Sequence, residues 1–132
     1  MKAPSKERIG RIGERVAARF LRRLGYRIVA KNRHCGRYEL DLIAKNKECV
    51  VFAEVKASAF DDPSEILTRP GDRVDSGKRQ RTADAAIAYL REHPTALTPR
   101  LDVIEVYLDK KRLKPFKINH IPDAFSVKGR TH

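Results

Sequence analysis

The chain has 132 residues, enough for one domain with a modest core, and with 41% hydrophobic and 35% charged residues it reads as globular and soluble. No apolar run approaches the ~20 residues that span a bilayer, and "MKAPSKERIGRIGERVAARF" lacks the continuous apolar stretch of a signal peptide, so a cytoplasmic protein without a membrane partner is expected. Of the net charge of +12, residues 1–37 supply +10, with 12 Lys/Arg against Glu7 and Glu14; so one-sided a basic segment implies a polyanionic partner, nucleic acid before an anionic membrane surface, with a plain solubility charge as the bland alternative.

Residues 5–24, "SKERIGRIGERVAARFLRRL", read as a helix, with Ser5 as N-cap after Pro4 and Gly25 as the stop. Ile9, Ile12, Val16, Phe20 and Leu24 recur at helical spacing and form an apolar stripe. At ~100° per residue, Arg8, Arg11, Arg15, Arg19 and Arg22 gather on roughly the opposite face, and Glu14 falls at the border of the stripe. "YRIVA" (26–30) reads as a short strand and "KNRHCGR" as a polar turn. Cys35 and Cys49 form no CxxC pair and read as two reduced thiols; His34 beside Cys35 is a weak zinc signal.

Residues 38–44 and 48–58 read as a hairpin with "KNK" at its tip. Residues 59–75 carry two prolines and a glycine and read as a long, mobile loop. Residues 76–92 read as a second helix that buries Ala83, Ala86, Ile87 and Leu90 and ends at His93-Pro94. Strands follow at 100–109 and 113–121, and the basic tail 126–132 is expected to be disordered. The order α-β-β-β-α-β-β makes an α/β or α+β domain over residues 1–125, with a mixed sheet of about five strands flanked by helices.

The acids of the hairpin need a reason. Side chains alternate along a strand, so Glu39, Asp41 and Ile43 share one face, and Val50, Phe52, Glu54, Lys56 and Ser58 share the facing one. If Asn46-Lys47 form the turn, Lys45 faces Glu48, Asp41 faces Phe52 and Glu39 faces Glu54. Asp41 is then a diagonal neighbour of Glu54, at roughly 7–8 Å, a separation that a divalent ion can bridge. A solvated outer face explains the same alternation. Against it, Ile43, Val50 and Phe52 partly cover that face, and Glu39 opposite Glu54 would repel. The spacing alone leaves the two readings level.

Asp, then a turn, then Glu-x-Lys resembles the core of the PD-(D/E)xK nucleases. The wider pattern "GERVAARFLRRLGYRIVAKNRH…YELDLIA…VVFAEVK", with "GKRQRTADAAIAYL", "RLDVIEV" and "INHIPDAF", resembles the YraN family of small bacterial proteins over roughly residues 10–125. That family is similar to archaeal Holliday-junction resolvases, which implies a restriction-endonuclease-like core. By resemblance, Asp41 and Glu54 would bind Mg²⁺ or Mn²⁺ with the main-chain carbonyl of Val55, Glu14 would complete the acidic site, and Lys56 would be the catalytic lysine. Glu39 would be a supporting hydrogen-bond acceptor for a metal-bound water, and Lys78 would contact phosphate. For Lys56 the alternative is an ion pair with Glu54 or Glu39; for Glu14 it is a surface pair with Arg11 or Arg15.

Two departures stand out. Tyr38 replaces a common glycine, and Ser58 stands where the family often has arginine. The expected function is a metal-dependent endonuclease acting on branched DNA in repair or recombination, with a homodimer as the expected assembly. The basic face of the first helix would track the DNA backbone without reading sequence; no helix-turn-helix, zinc finger or RNP-type aromatic pattern supports base-specific readout. A non-catalytic nucleic-acid-binding protein on the same fold is the alternative, and a basic scaffold or membrane-associated protein ranks third.

Overall fold

The first helix, α1 (Lys6–Arg23), begins where Ser5 caps it, the Ser5 hydroxyl accepting from the Arg8 N–H at 3.1 Å. It ends where Gly25 takes a positive φ of 97°. The computed structural model describes residues 3–68 and 76–125. After α1 come β1 (Arg27–Cys35), β2 (Tyr38–Lys45), β3 (Cys49–Phe60), the single turn α2 (Glu65–Thr68), α3 (Ser76–Glu92), β4 (Thr98–Asp109) and β5 (Pro115–Phe125). The five strands lie in chain order in one sheet, antiparallel throughout except for the parallel pair β3–β4. The α/β architecture with a mixed sheet of five strands is thus the expected one. The tail 126–132, and residues 69–75 of the expected loop, lie outside the described residues.

Each face of the sheet carries its own apolar cluster. Under α1, Ala17, Ala18 and Leu21 pack on Leu42, Ala44, Val51, Ala53, Ile104, Val106 and Leu108. Under α3, Ala83, Ala86 and Tyr89 pack on Leu40, Ile43, Val50, Phe52, Leu101 and Val103. β3 is buried on both faces, which explains the nearly continuous apolar run "CVVFA".

Small residues let α1 approach β3 closely. A Cβ added at Gly13 would collide with the Cβ of Ala57, with Val55 close behind. Gly13→Ala should therefore lift the helix off the strand and cost about 1–3 kcal/mol. Urea unfolding of the variant beside Gly10→Ala, whose added Cβ meets nothing within 4 Å, separates this clash from helix propensity, which favours alanine at both positions.

Four local expectations need correction. The polar segment "KNRHC" is strand rather than turn, because β1 is an edge strand whose side chains can stay exposed; the turn is Gly36-Arg37, with Gly36 at φ 63°. Leu24 leaves the apolar stripe and is 51% exposed, since it caps the helix. On α3, Thr82, Ala85 and Tyr89 are buried, whereas Ile87 and Leu90 are only half-buried.

The fourth correction bears on the site. The β2–β3 turn residues are Lys47 and Glu48, one position later than expected. Asn46 Oδ1 accepts from the Glu48 and Cys49 N–H groups at 2.8 and 2.7 Å, and the Asn46 N–H donates to the Cys49 carbonyl at 3.0 Å. This moves the register by two: Lys45 faces Val50, Ile43 faces Phe52, and Leu42 faces Ala53.

Candidate metal centre

The β2–β3 ladder runs from Lys45–Val50 to Leu42–Ala53 and stops there. One step further it would set Asp41 opposite Glu54. Instead the strands part, and the Asp41 carboxylate fills the opening: its Oδ2 accepts the Val55 N–H at 2.9 Å. The other Asp41 oxygen takes no hydrogen bond among the described residues.

Glu54 is 2% exposed, on a strand buried on both sides. A carboxylate there costs several kcal/mol unless compensated. Its Oε1 lies 3.4 Å from Lys78 Nζ, at the start of α3. Its Oε2 is buried without a hydrogen-bond partner. An unpartnered carboxylate oxygen is rare in a folded protein and calls for an explanation.

Glu14 stands at the edge of α1, as its place on the helix predicts. It takes neither Arg11 nor Arg15: its Oε1 accepts from Asn32 Nδ2 at 2.9 Å. Asn32 is held at φ 48° in β1, a conformation that asparagine tolerates. Nothing in the pattern of "KNRH" singles it out, so this partner of Glu14 was not foreseen.

Burial pushes the Asp41 carboxyl up from the ordinary 3.8 to about 6. The Val55 hydrogen bond and the Lys78 ammonium oppose the rise, while Glu14 and Glu54 add to it. Asp41, Glu54, Glu14 and Lys78 therefore feel one another across separate elements of the fold. Such a perturbed carboxyl among other charges is a functional-site signature.

The remaining expected residues lie as follows. Lys56 is half-buried on β3 beside Glu105, whose Oε1 accepts from Asn119 Nδ2 at 2.6 Å; it makes no ion pair among the described residues. Glu39 faces His34 across the β1–β2 pair, 3.4 Å from its Nε2, rather than facing Glu54. Arg8, Arg11, Arg15, Arg19 and Arg22 are all exposed along α1. Cys35 and Cys49 are free thiols.

Among the described residues no three His, Cys, Asp or Glu side chains stand close enough to hold a metal by themselves. The donors at hand are the two carboxylates of Asp41 and Glu54 and the main chain at Val55. These are hard oxygen donors, suited to Mg²⁺ or Mn²⁺ and unsuited to a soft metal. The orphaned Glu54 Oε2 is what a cation would satisfy.

A second charged group was not foreseen. Asp102 is fully buried on β4, with all four acceptor positions used: Arg100 Nε and Nη2 at 2.8 Å each, His120 Nε2 at 2.8 Å and the Asp123 N–H at 2.9 Å. Arg100 also lies over the Tyr26 ring at 5.4 Å, and His120 meets Phe20 of α1 edge-on. This network shares the α1 side of the sheet with Ile104 and Val106 and takes no part in the metal centre. A cleft of about 780 Å³ bounded by Arg27, Lys45, Lys47 and Glu48 lies at the other end of β3 and also stands apart.

Residues 13–106 match the model of a family described as "Uncharacterised protein family UPF0102". A UPF0102 protein of Caldanaerobacter subterraneus subsp. tengcongensis is 39% identical over 95% of this chain and all of its own length. One of Rhodopirellula baltica is 36% identical over 92% of this chain and 72% of its own. One of Chlorobaculum tepidum is 38% identical, over 90% and 92%. No helix among the described residues is long and apolar enough to cross a membrane.

Proposed function

The chain belongs to the UPF0102 family, the one its sequence resembles under the name YraN, and we propose that it is a metal-dependent endonuclease hydrolysing phosphodiester bonds in branched DNA. The observation that carries the reading is Glu54: a carboxylate buried in a central strand, with one oxygen on Lys78 and the other without a partner, beside a second carboxylate that fills the gap between parted strands.

Asp41, Glu54 and the Val55 carbonyl would hold Mg²⁺ or Mn²⁺, with Glu14 closing the acidic side. Such an ion supplies Lewis acidity to a phosphoryl oxygen and acidifies the attacking water. The water oxygen bonds to phosphorus and gives up a proton to solvent, the bond from phosphorus to one ester oxygen breaks, and that oxygen takes up a proton from solvent and leaves as a hydroxyl. Lys56 faces the negative charge that builds on the phosphate in that step. The α1 arginines attract the backbone without regard to sequence. A homodimer, cytoplasmic location and a role in repair or recombination belong to the same proposal; paired cuts on two strands favour two copies.

Labelled single strand, duplex, flap and four-way junction, each with Mg²⁺, Mn²⁺ or EDTA, test the reading. Metal-dependent cutting that favours branched substrates is the expected result. Binding without cutting across the panel overturns it in favour of a non-catalytic nucleic-acid-binding protein, the alternative for which Ser58 leaves room.

Two further results follow from the geometry. Metal binding must keep Asp41 ionised, and its carboxyl titrates at about 6. Mn²⁺ affinity should thus be flat above that value and fall about tenfold per pH unit below it; calorimetry from pH 5 to 8 reads the slope, and a flat profile places the ion elsewhere. Lys78 occupies the position of a cation beside Glu54. Lys78→Ala should lower metal-free stability by about 1–2 kcal/mol, its ammonium being partly exposed. The same variant should bind Mn²⁺ several-fold more tightly, so the metal-induced rise in melting temperature exceeds that of the wild type.

A further inference from the structure

The turn between β4 and β5 carries an arrangement that the metal centre does not use. Asp109 organises it: its N–H donates to the Lys114 carbonyl at 2.8 Å, its carbonyl accepts from the Leu113 N–H at 2.6 Å, and its Oδ1 accepts from the Lys111 and Arg112 N–H groups at 2.8 and 3.3 Å. The one acid between Tyr107 and Lys117 is therefore committed to the backbone, while Lys111, Arg112, Lys114 and Lys117 are exposed.

An aromatic group adjoins these cations. Tyr107 pairs with Lys117 and Leu108 with Pro115, which leaves Phe116 as the extra residue of a bulge. Bulges re-aim a side chain, and Phe116 is 37% exposed. Its ring lies 6.3 Å from Phe60 and 6.5 Å from Tyr107, which stack on each other at 5.8 Å. Lys117 Nζ sits 5.8 Å above the Tyr107 ring. These rings are scattered through the sequence and only the fold assembles them. β3 connects the platform to the metal centre: Phe60 lies six residues beyond Glu54, about 20 Å along the strand.

We infer that this turn is a docking platform for unpaired nucleotides, with a base stacked on Phe116 and the flanking phosphates held by Lys111, Arg112, Lys114 and Lys117. Charge complementarity selects the occupant. A second copy docked on the same patch would bring like charges together, and one exposed ring is too little apolar surface for a lipid anchor. A duplex satisfies the cations but hides its base faces in the stack. A single strand satisfies both halves of the site, and stacking on an aromatic ring needs no particular base. The platform rests on the DNA-cleaving reading for the identity of its polymer but not on catalysis; it specifies unpaired nucleotides beside the cut as the recognised feature.

The test is fluorescence anisotropy in EDTA with labelled oligothymidylate, an abasic strand of equal length, and a matched duplex. Wild type should favour oligothymidylate over both. Phe116→Ala should weaken oligothymidylate about tenfold and the abasic strand less than about twofold, while Phe116→Tyr, which keeps a stacking ring, retains wild-type affinity. Lys111→Glu/Arg112→Glu should weaken both strands and flatten the salt dependence. Every arm is read without metal and without cleavage, so a failure of the nuclease reading leaves this result standing. Equal loss on the abasic strand, no loss at all, a charge-dependent affinity for anionic vesicles instead of the strand, or a Phe116→Ala variant altered only in its dimerisation overturns the platform.

Discussion

Asp41→Asn is expected to lower metal-dependent cleavage by roughly a thousandfold or more while leaving the protein as stable as before, or more so. The asparagine oxygen can still accept the Val55 N–H that Asp41 takes at 2.9 Å, and the volume is unchanged. What disappears is the charge. The sign of the stability effect follows from the titration. Burial holds the Asp41 carboxyl at about 6 in the folded chain against the ordinary 3.8. The folded state binds that proton more tightly than the unfolded state does. Its contribution to stability is therefore greatest below about pH 4, declines as pH rises towards 6, and stays low above that. The substituted side chain is neutral throughout, so metal-free wild type and variant should match at low pH, and the variant should be the more stable at pH 8. Activity and stability moving in opposite directions is what a site kept for function does. Retained cleavage, or a loss of several kcal/mol in urea unfolding at pH 8, would instead make Asp41 a structural residue.

The two long helices were legible because their ends are written locally: Ser5 and Gly25 bracket α1, and His93-Pro94 follows α3. The acids of the candidate site stood out because Asp41 and Glu54 interrupt sheet-forming runs, and the resemblance gave those interruptions a proposed meaning. The register was not, since one asparagine side chain, Asn46, decides which two residues form the turn. That single step moves Phe52 from Asp41 to Ile43 and takes Glu54 away from Glu39, whose partner His34 is set separately by the Gly36-Arg37 turn. The pairing of Lys78 with Glu54 was equally hidden, because it depends on how the chain crosses from β3 to α3. The second half of β1 looked like a turn for a related reason. An edge strand has no buried alternation to display, and its charges read as loop.

Asp102→Ala is expected to cost about 3–5 kcal/mol, the usual loss when one partner of a buried charge group is removed, out of the 5–15 kcal/mol that hold a typical domain together. The sequence shows only an acid within the strand "RLDVIEVYLD". In the fold it is fully buried, and its partners His120 and Asp123 come from a strand that pairs with β4 only after the chain has turned back. Burial works against the Asp102 charge, but the His120, Arg100 and Asp123 hydrogen bonds outweigh it and hold the carboxyl below the ordinary 3.8. Its stabilising contribution is therefore complete above about pH 4 and fades as pH falls through the folded-state value. Alanine at this position leaves the Arg100 guanidinium and the His120 ring without their acceptor, and frees the Asp123 N–H that pins the end of β5 at its φ of 52°. The deficit should thus be fully present at pH 8 in urea unfolding and shrink below pH 4. His120→Ala combined with Asp102→Ala should cost less than the sum of the two, because each removes the same hydrogen bond. Since the network sits under α1 and Glu54 faces α3, metal-dependent cleavage by the Asp102→Ala protein that remains folded at low temperature should stay near wild type. A loss of cleavage larger than the loss of folded protein would tie the two charged groups together through β3 and β4, which pair side by side at Ala53 and Asp102.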